Sequence, residues 1–313
     1  MRRSLFTAFL CLAFLGVASA QKKKPGAEAE PVLPPWPGAV PGWQKPEPGE
    51  HPRLFFRKAD LPALRERAKT PEGQALIRRL KFLVGGGEIM TPSFNPYTKA
   101  YEGKIDLPEG TYTISHAAGL GFLYQLTGEK HYADLGRLCM EKALEGARDI
   151  DPEARYAFRQ PGGALRAGPS IAWYAAAYDL CYDGWTEVFR EKVAAELQNY
   201  NEGEHMDIGS MAAGRRHAPG SNHWGPQIAG PAMVALAIQG DPGTDDAKVA
   251  KLLETSEKSF LRELVEGWGE RGWFAEGDGL GRSPRTRRSC RRCRRGAWRA
   301  AKTSSRRDRT RNS

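Results

Sequence analysis

The 313-residue sequence has little of what builds β-sheets, disulfide-rich domains or membrane proteins. Strand-like alternation of β-branched or aromatic residues with polar ones is almost absent, which argues against a β class. Five cysteines in a chain of this length form no disulfide framework. The longest apolar run, residues 5–17, is too short to span a bilayer. These absences favour an all-α protein.

The N-terminus has the pattern of a secretory signal. Met1-Arg2-Arg3 is followed by the apolar run and then by Ala18-Ser19-Ala20. A positive segment, a short apolar segment and small residues at −3 and −1 predict a signal peptide, residues 1–20, cleaved after Ala20. Cys11 lies within the apolar run, so a lipoprotein site is not expected. We therefore expect a bacterial periplasmic or secreted protein with no stable membrane anchor.

Composition divides the remainder into three parts. Residues 21–50 contain eight prolines and are predicted to be an extended linker. Residues 51–281 have the composition of a folded domain. Residues 282–313 contain thirteen arginines, one lysine and one aspartate. Their charge of +13 exceeds the +10 of the whole chain, so the remainder is mildly acidic and no nucleic-acid partner is expected for it.

The Arg-rich tail has three interpretations. It is an RNA- or polyanion-binding arm, a solvated disordered tail, or the product of a shifted reading frame in GC-rich DNA. The last hypothesis explains the abrupt change of composition after Gly281. Under that hypothesis the chain is truncated, and an active protein and an inactive fragment are both open alternatives.

Helical periodicity recurs in pairs. After helical spacing over residues 61–83, three apolar, small-residue segments are each followed by a turn and a charged amphipathic segment. The predicted pairs are 114–126 with 131–147, 171–181 with 187–200, and 231–239 with 246–264. Such alternation suits a ring of helix pairs with crowded inner and solvated outer helices. The long loops precede the inner helices, which predicts a cleft at one end.

Two glycine-bounded stretches contain the candidate chemistry. Residues 220–230 include Asn222 and His223, an amide beside an imidazole suited to general-base catalysis. Residues 272–279 include Glu276 and Asp278, a candidate carboxylate pair. The alternatives are structural: the Asn-His pair caps a helix, Glu276 satisfies loop amides, and the arginines at 215 and 216 are solvated surface.

Other candidates are assigned structural roles. Cys139 and Cys181 lie in apolar helical segments and are expected to be buried free thiols. Cys290-x-x-Cys293 has no second pair to complete a zinc site, so we expect no metal and no cofactor. His116 is expected to be a core or lining histidine, and His131 a structural residue at a helix start.

The chain contains four motifs, His51-Pro52-Arg53-Leu54, Leu126-Thr127-Gly128-Glu129-Lys130-His131-Tyr132, Ser221-Asn222-His223-Trp224 and Trp273-Phe274-Ala275-Glu276-Gly277. Together these segments resemble the heparinase II/III-like and alginate lyase superfamily of polysaccharide lyases. The resemblance covers residues 51–281. It implies an incomplete (α/α) toroid of antiparallel helix pairs, and the C-terminal β-sandwich of such proteins is absent here.

The resemblance also implies a reaction, β-elimination in an acidic, uronic-acid-containing polysaccharide. Asn222 would neutralise the uronate carboxylate, and His223 would take the proton from the neighbouring carbon. Arg216 would bind an acidic group. Trp224 or Trp273 would stack on a sugar, unless it is a core anchor, and Glu276 would contribute to substrate binding.

The sequence departs from the family pattern where a catalytic tyrosine is expected, because residues 278–281 contain none. Either another group is the acid or the protein is not a lyase. Two further readings are an (α/α)-barrel glycoside hydrolase that uses Glu276 and Asp278, and a noncatalytic glycan-binding helical domain.

Overall fold

The fold is built almost entirely from helices. The computed structural model describes residues 32–36, 38, 41–84, 93–95, 100–102, 117–147, 157–268 and 274–275. The chain divides into two units, Met1–Val32 and Leu33–Ser313, and all the described helices and strands lie in the second. Helices account for 64% of the described residues and strands for 2%, which confirms the helical class. Among the described helices, none has the length and apolar character needed to cross a lipid bilayer.

Nine α-helices are present in the part of the chain that the structure describes. They are α1 (Leu61–Ala68), α2 (Pro71–Val84), α3 (Ala117–Thr127), α4 (Lys130–Leu144), α5 (Ala164–Cys181), α6 (Glu187–Gln198), α7 (Ile208–Ala212), α8 (Trp224–Ile238) and α9 (Asp246–Arg262). A π-helical turn, Glu263–Gly267, continues α9. Strands β1 (Ser93–Asn95) and β2 (Ala100–Glu102) form an antiparallel hairpin inside the predicted loop 88–112. Three-residue strands are too short to produce a periodic signal.

The helix pairs occur where the periodicity predicts them. α3 contacts α4, α5 contacts α6, and α8 contacts α9. The apolar members also pack on one another in chain order, α3 on α5 and α5 on α8. Cys139 and Cys181 are both buried in this core, as expected. Burial raises the pKa of the Cys181 thiol.

Two predicted helix starts are wrong. α5 begins at Ala164 rather than at residue 171, and α8 begins at Trp224 rather than at Pro231. In both cases a proline, Pro169 or Pro231, lies inside the helix and was interpreted as a boundary. The predicted loop 201–224 also contains the short helix α7. Tertiary packing overrides the local preference of these Gly/Pro-rich segments.

The crossing of α5 and α8 is a close backbone contact. A β-carbon added at Gly168 would lie 2.1 Å from the carbonyl oxygen of Pro226. One added at Gly230 would lie 2.2 Å from the carbonyl oxygen of Gly168. Only glycine allows this approach, so these two residues determine where α8 lies against α5.

A buried polar cluster attaches the segment before α1 to the bundle. His51 Nδ1 lies 2.7 Å from Asp179 Oδ1 on α5, and Nε2 lies 3.0 Å from Asp241 Oδ2 just after α8. Asp241 also accepts from Arg53 Nη2 at 2.8 Å and from Tyr178 Oη at 3.0 Å. The side chains of His51 and both aspartates are fully buried. The segment is therefore held at the C-terminal end of α8 by buried hydrogen bonds and by the Arg53–Asp241 ion pair.

Candidate active site

Asn222 and His223 lie immediately before α8, and both are partly exposed. His223 is the N-cap residue, but its side chain makes no capping hydrogen bond. Ser221 Oγ instead accepts from the His223 backbone N–H at 3.2 Å. Within the described residues, neither the Asn222 amide nor the His223 ring forms a hydrogen bond. Helix capping therefore does not account for these two side chains.

The surroundings of the pair are positively polarised. The imidazole ring of His223 lies edge-to-face against that of His217, with 4.9 Å between the ring centroids. Arg215 and Arg216 are exposed in the preceding turn. The N-terminus of α8 carries the positive end of its helix dipole. This helix end favours the binding of an anionic group beside Asn222.

Trp224 is a core anchor rather than a sugar-stacking residue. Only 1% of it is exposed, and its indole Nε1 donates to the Ser259 carbonyl oxygen of α9 at 3.2 Å. A β-carbon at Gly214 would lie 2.3 Å from the same indole ring. Trp224 was considered as a sugar-stacking residue or as a core anchor, and its burial supports the core anchor. The indole fixes α8 against α9 and the turn after α7.

The structure places Ala275, in the middle of the second candidate stretch, against Gly220 at the start of the first. A β-carbon at Gly220 would lie 3.0 Å from Ala275 Cβ and 3.1 Å from Gly267 Cα. The Ala275 N–H donates to the Gly267 carbonyl oxygen at 2.7 Å. The neighbouring Trp268 and Phe274 rings are also in contact, with 5.4 Å between their centroids. Trp273, Glu276 and Asp278 lie outside the described residues.

Glu263 is a carboxylate at this site that the sequence analysis missed. A β-carbon added at Gly225, in the first turn of α8, would lie 3.3 Å from Glu263 Oε1. One added at Gly267 would lie 3.5 Å from Glu263 Cγ. Burial raises the pKa of Glu263. The Glu263 side chain thus lies in a slot between Gly267 and Gly225, and Gly225 is two residues after His223 in the chain.

The sequence held one weak signal for Glu263. The apolar pair Leu264–Val265 interrupts the charged pattern at the end of α9, and both residues are exposed. They lie in the π turn, a geometry that is frequent at functional sites. Without the fold, however, a glutamate in a charged amphipathic helix is indistinguishable from solvated surface.

The described residues contain no group of three or more His, Cys, Asp or Glu side chains that could hold a metal ion. Cys290, Cys293 and His116 lie outside the described range, so their predicted roles stay predictions. His131 lies in the first turn of α4 with 56% of its side chain exposed.

Comparisons with known proteins identify no family. No protein-family model matches the chain, and a search of curated proteins returned no match. A functional assignment therefore depends on the site itself. The site offers an amide, an imidazole and a half-buried carboxyl group around one positively polarised helix end, a set suited to acid–base chemistry on an anionic substrate.

Proposed function

We propose that this protein is an exported polysaccharide lyase that cleaves a uronic-acid-containing polysaccharide by β-elimination. One observation carries the proposal. Asn222 and His223 are adjacent and partly exposed at the start of α8, and no described residue uses either side chain in a hydrogen bond. A polar pair of this kind, held by an anchored helix, is available for a ligand.

Each group at the site has a role in an elimination. The Asn222 amide and the positive end of α8 stabilise negative charge on the uronate carboxylate as the adjacent C5 becomes carbanionic. His223 accepts the C5 proton, because a neutral imidazole is an effective base near neutral pH. Arg216, exposed ahead of the site, binds a neighbouring acidic group of the polymer. No metal is needed for these steps.

The helix pairs support a toroidal scaffold as part of the same proposal. Apolar helices α3, α5 and α8 pack in chain order, and α4, α6 and α9 each follow one of them. Continued around an axis, this arrangement is an arc of an incomplete (α/α) toroid. The start of α8 then lies on the side of the arc to which the long loops lead.

The test is an elimination assay on the purified chain with a panel of uronate polymers. The proposal predicts a product with a C4–C5 double bond, detected by its ultraviolet absorbance. His223→Ala and Asn222→Ala should each lower the rate by about 10²–10⁴-fold. His131→Ala, on α4, is the matched control and should leave the rate unchanged.

Other results would contradict the proposal in distinguishable ways. New reducing ends without the double bond would identify a hydrolase. Binding of the polymer without any turnover, unchanged in His223→Ala, would identify a noncatalytic glycan-binding domain.

A further inference from the structure

The acid of the proposed elimination is missing from residues 278–281, where the family resemblance places a tyrosine. A departing glycosidic oxygen needs a proton, because an alkoxide is a poor leaving group. A group that supplies it must be near Asn222 and His223 and must hold a proton near neutral pH. Glu263 is a described carboxyl group beside the first turn of α8, the helix that these two residues precede.

We infer that Glu263 is the general acid of this site, the group that protonates the leaving oxygen of the uronate polymer. This inference rests on the proposed function. Its basis is the slot between Gly225 and Gly267, which directs the carboxyl group at the first turn of α8. Both carboxyl oxygens lie within 3.7 Å of the position of a Gly225 β-carbon.

The environment of Glu263 keeps it available for proton transfer. No hydrogen bond or ion pair within the described residues involves its carboxyl group. Glu266, one turn later, instead pairs with Arg262 Nε at 2.9 Å. Desolvation without a compensating cation raises the pKa of Glu263, which favours its protonated form. The two glutamates of the π turn thus have different roles, one structural and one chemical.

The proton and electron balance of the step is complete. His223 takes the C5 proton, and the C5–H electron pair forms the C4–C5 double bond. The C4–O bond breaks with its electrons on oxygen, and that oxygen takes the proton of the Glu263 carboxyl group. The products are an unsaturated uronate and a free hydroxyl end. Solvent returns the proton to Glu263 and removes one from His223.

The test compares Glu263→Gln with wild type on two substrates. On the natural polymer, the glutamine cannot donate a proton as an acid, so the rate should fall by about 10²–10⁴-fold. On a uronate that carries a nitrophenyl group at O4, the leaving phenolate needs no proton. There the variant should retain the rate to within roughly tenfold. Glu266→Gln is the matched control and should be close to wild type on both substrates.

Two outcomes would overturn the inference separately. If wild type shows the His223-dependent elimination and Glu263→Gln has an unchanged polymer rate, Glu263 is not the acid. If Glu263→Gln loses activity equally on both substrates while its unfolding transition matches wild type, its role is not proton donation. A wild-type chain without elimination would instead overturn the proposed function, and the acid assignment with it.

Discussion

Two histidines at opposite ends of α8 have opposite environments. His51, near the C-terminal end, is fully buried and has a carboxylate on each ring nitrogen, at 2.7 and 3.0 Å. His223, at the N-terminal end, is partly exposed, and its ring forms no hydrogen bond within the described residues. Both ring nitrogens of His51 are therefore occupied by contacts within the fold, whereas the ring of His223 is available to bind a ligand.

The contrast shows how one helix serves stability and chemistry separately. The His51 cluster ties the segment before α1 to α5 and to the turn after α8, where Asp241 lies. At the other end, Trp224 and the close crossing at Gly230 fix the helix without using Asn222 or His223. The start of α8 is thus held by packing and backbone contacts, while the Asn222 and His223 side chains form no hydrogen bond with any other described residue.

The largest effect is expected from Asp179→Ala. Asp179 accepts from the His51 ring and from the backbone N–H groups of Arg53 and Leu54. Its removal leaves a buried imidazole and two part-buried backbone donors without their acceptor, and should lower the free energy of unfolding by about 3–5 kcal/mol. Chemical denaturation measures this loss.

The control for that prediction is Asp183→Ala. Asp183 pairs with Lys58 at 3.0 Å, but both side chains are well exposed. Its loss should cost about 0–1 kcal/mol. Equal decreases in the free energy of unfolding of Asp179→Ala and Asp183→Ala would show that the buried cluster contributes no more to stability than an exposed ion pair.

A smaller loss is expected from Gly230→Ala. The added methyl group would meet the Gly168 carbonyl oxygen at 2.2 Å, so α8 must move away from α5. Overpacking of this kind costs about 1–3 kcal/mol. Gly209→Ala on α7 is the control, because its nearest neighbour, Asp207 Oδ1, is 3.5 Å away. A Gly230 variant as stable as the Gly209 variant would show that the crossing tolerates displacement.

His223→Ala should change stability little. The ring is partly exposed and makes no hydrogen bond in the described part of the chain, so the free energy of unfolding should stay within about 0.5 kcal/mol of wild type. The same denaturation experiment on His51→Ala provides the contrast, with an expected loss of about 3–5 kcal/mol. Similar losses for both histidines would remove the distinction between them.

The smallest effect concerns Glu263 and pH. The folded-state pKa of this group lies above its ordinary value of 4.5, so the native state holds the proton more tightly than the unfolded state. Its contribution to stability is therefore lost as the pH rises through the folded pKa. The melting temperature of Glu263→Gln should therefore rise relative to that of wild type as the pH increases from 4 to 7.

Glu266→Gln is the control, because it shows how the melting temperature responds to the loss of the other carboxyl group in the π turn. A difference between Glu263→Gln and wild type that does not change with pH would contradict the raised pKa.

Local sequence patterns predicted the helix pairs because an apolar stripe at helical spacing is a local property. These patterns located the ends of α6 and α9 to within two residues, because each helix begins after a clear turn and its apolar positions alternate with charged residues. They failed at Pro169 and Pro231, where long-range glycine contacts between α5 and α8 outweigh the local effect of proline.

The site was predictable only in part for the same reason. Asn222 and His223 were recognisable from their position before an apolar helix. Glu263 was not, because its placement depends on a π turn and on Gly225, 38 residues earlier in the chain. His51 was recognised only as part of a motif, because its partners Asp179 and Asp241 are 128 and 190 residues away.

The most direct test of the account is the elimination rate of His223→Ala, measured beside its free energy of unfolding. We predict that the variant folds as stably as wild type and forms the unsaturated product about 10²–10⁴ times more slowly. A stable variant that forms this product at the wild-type rate would contradict the assignment of His223 as the base.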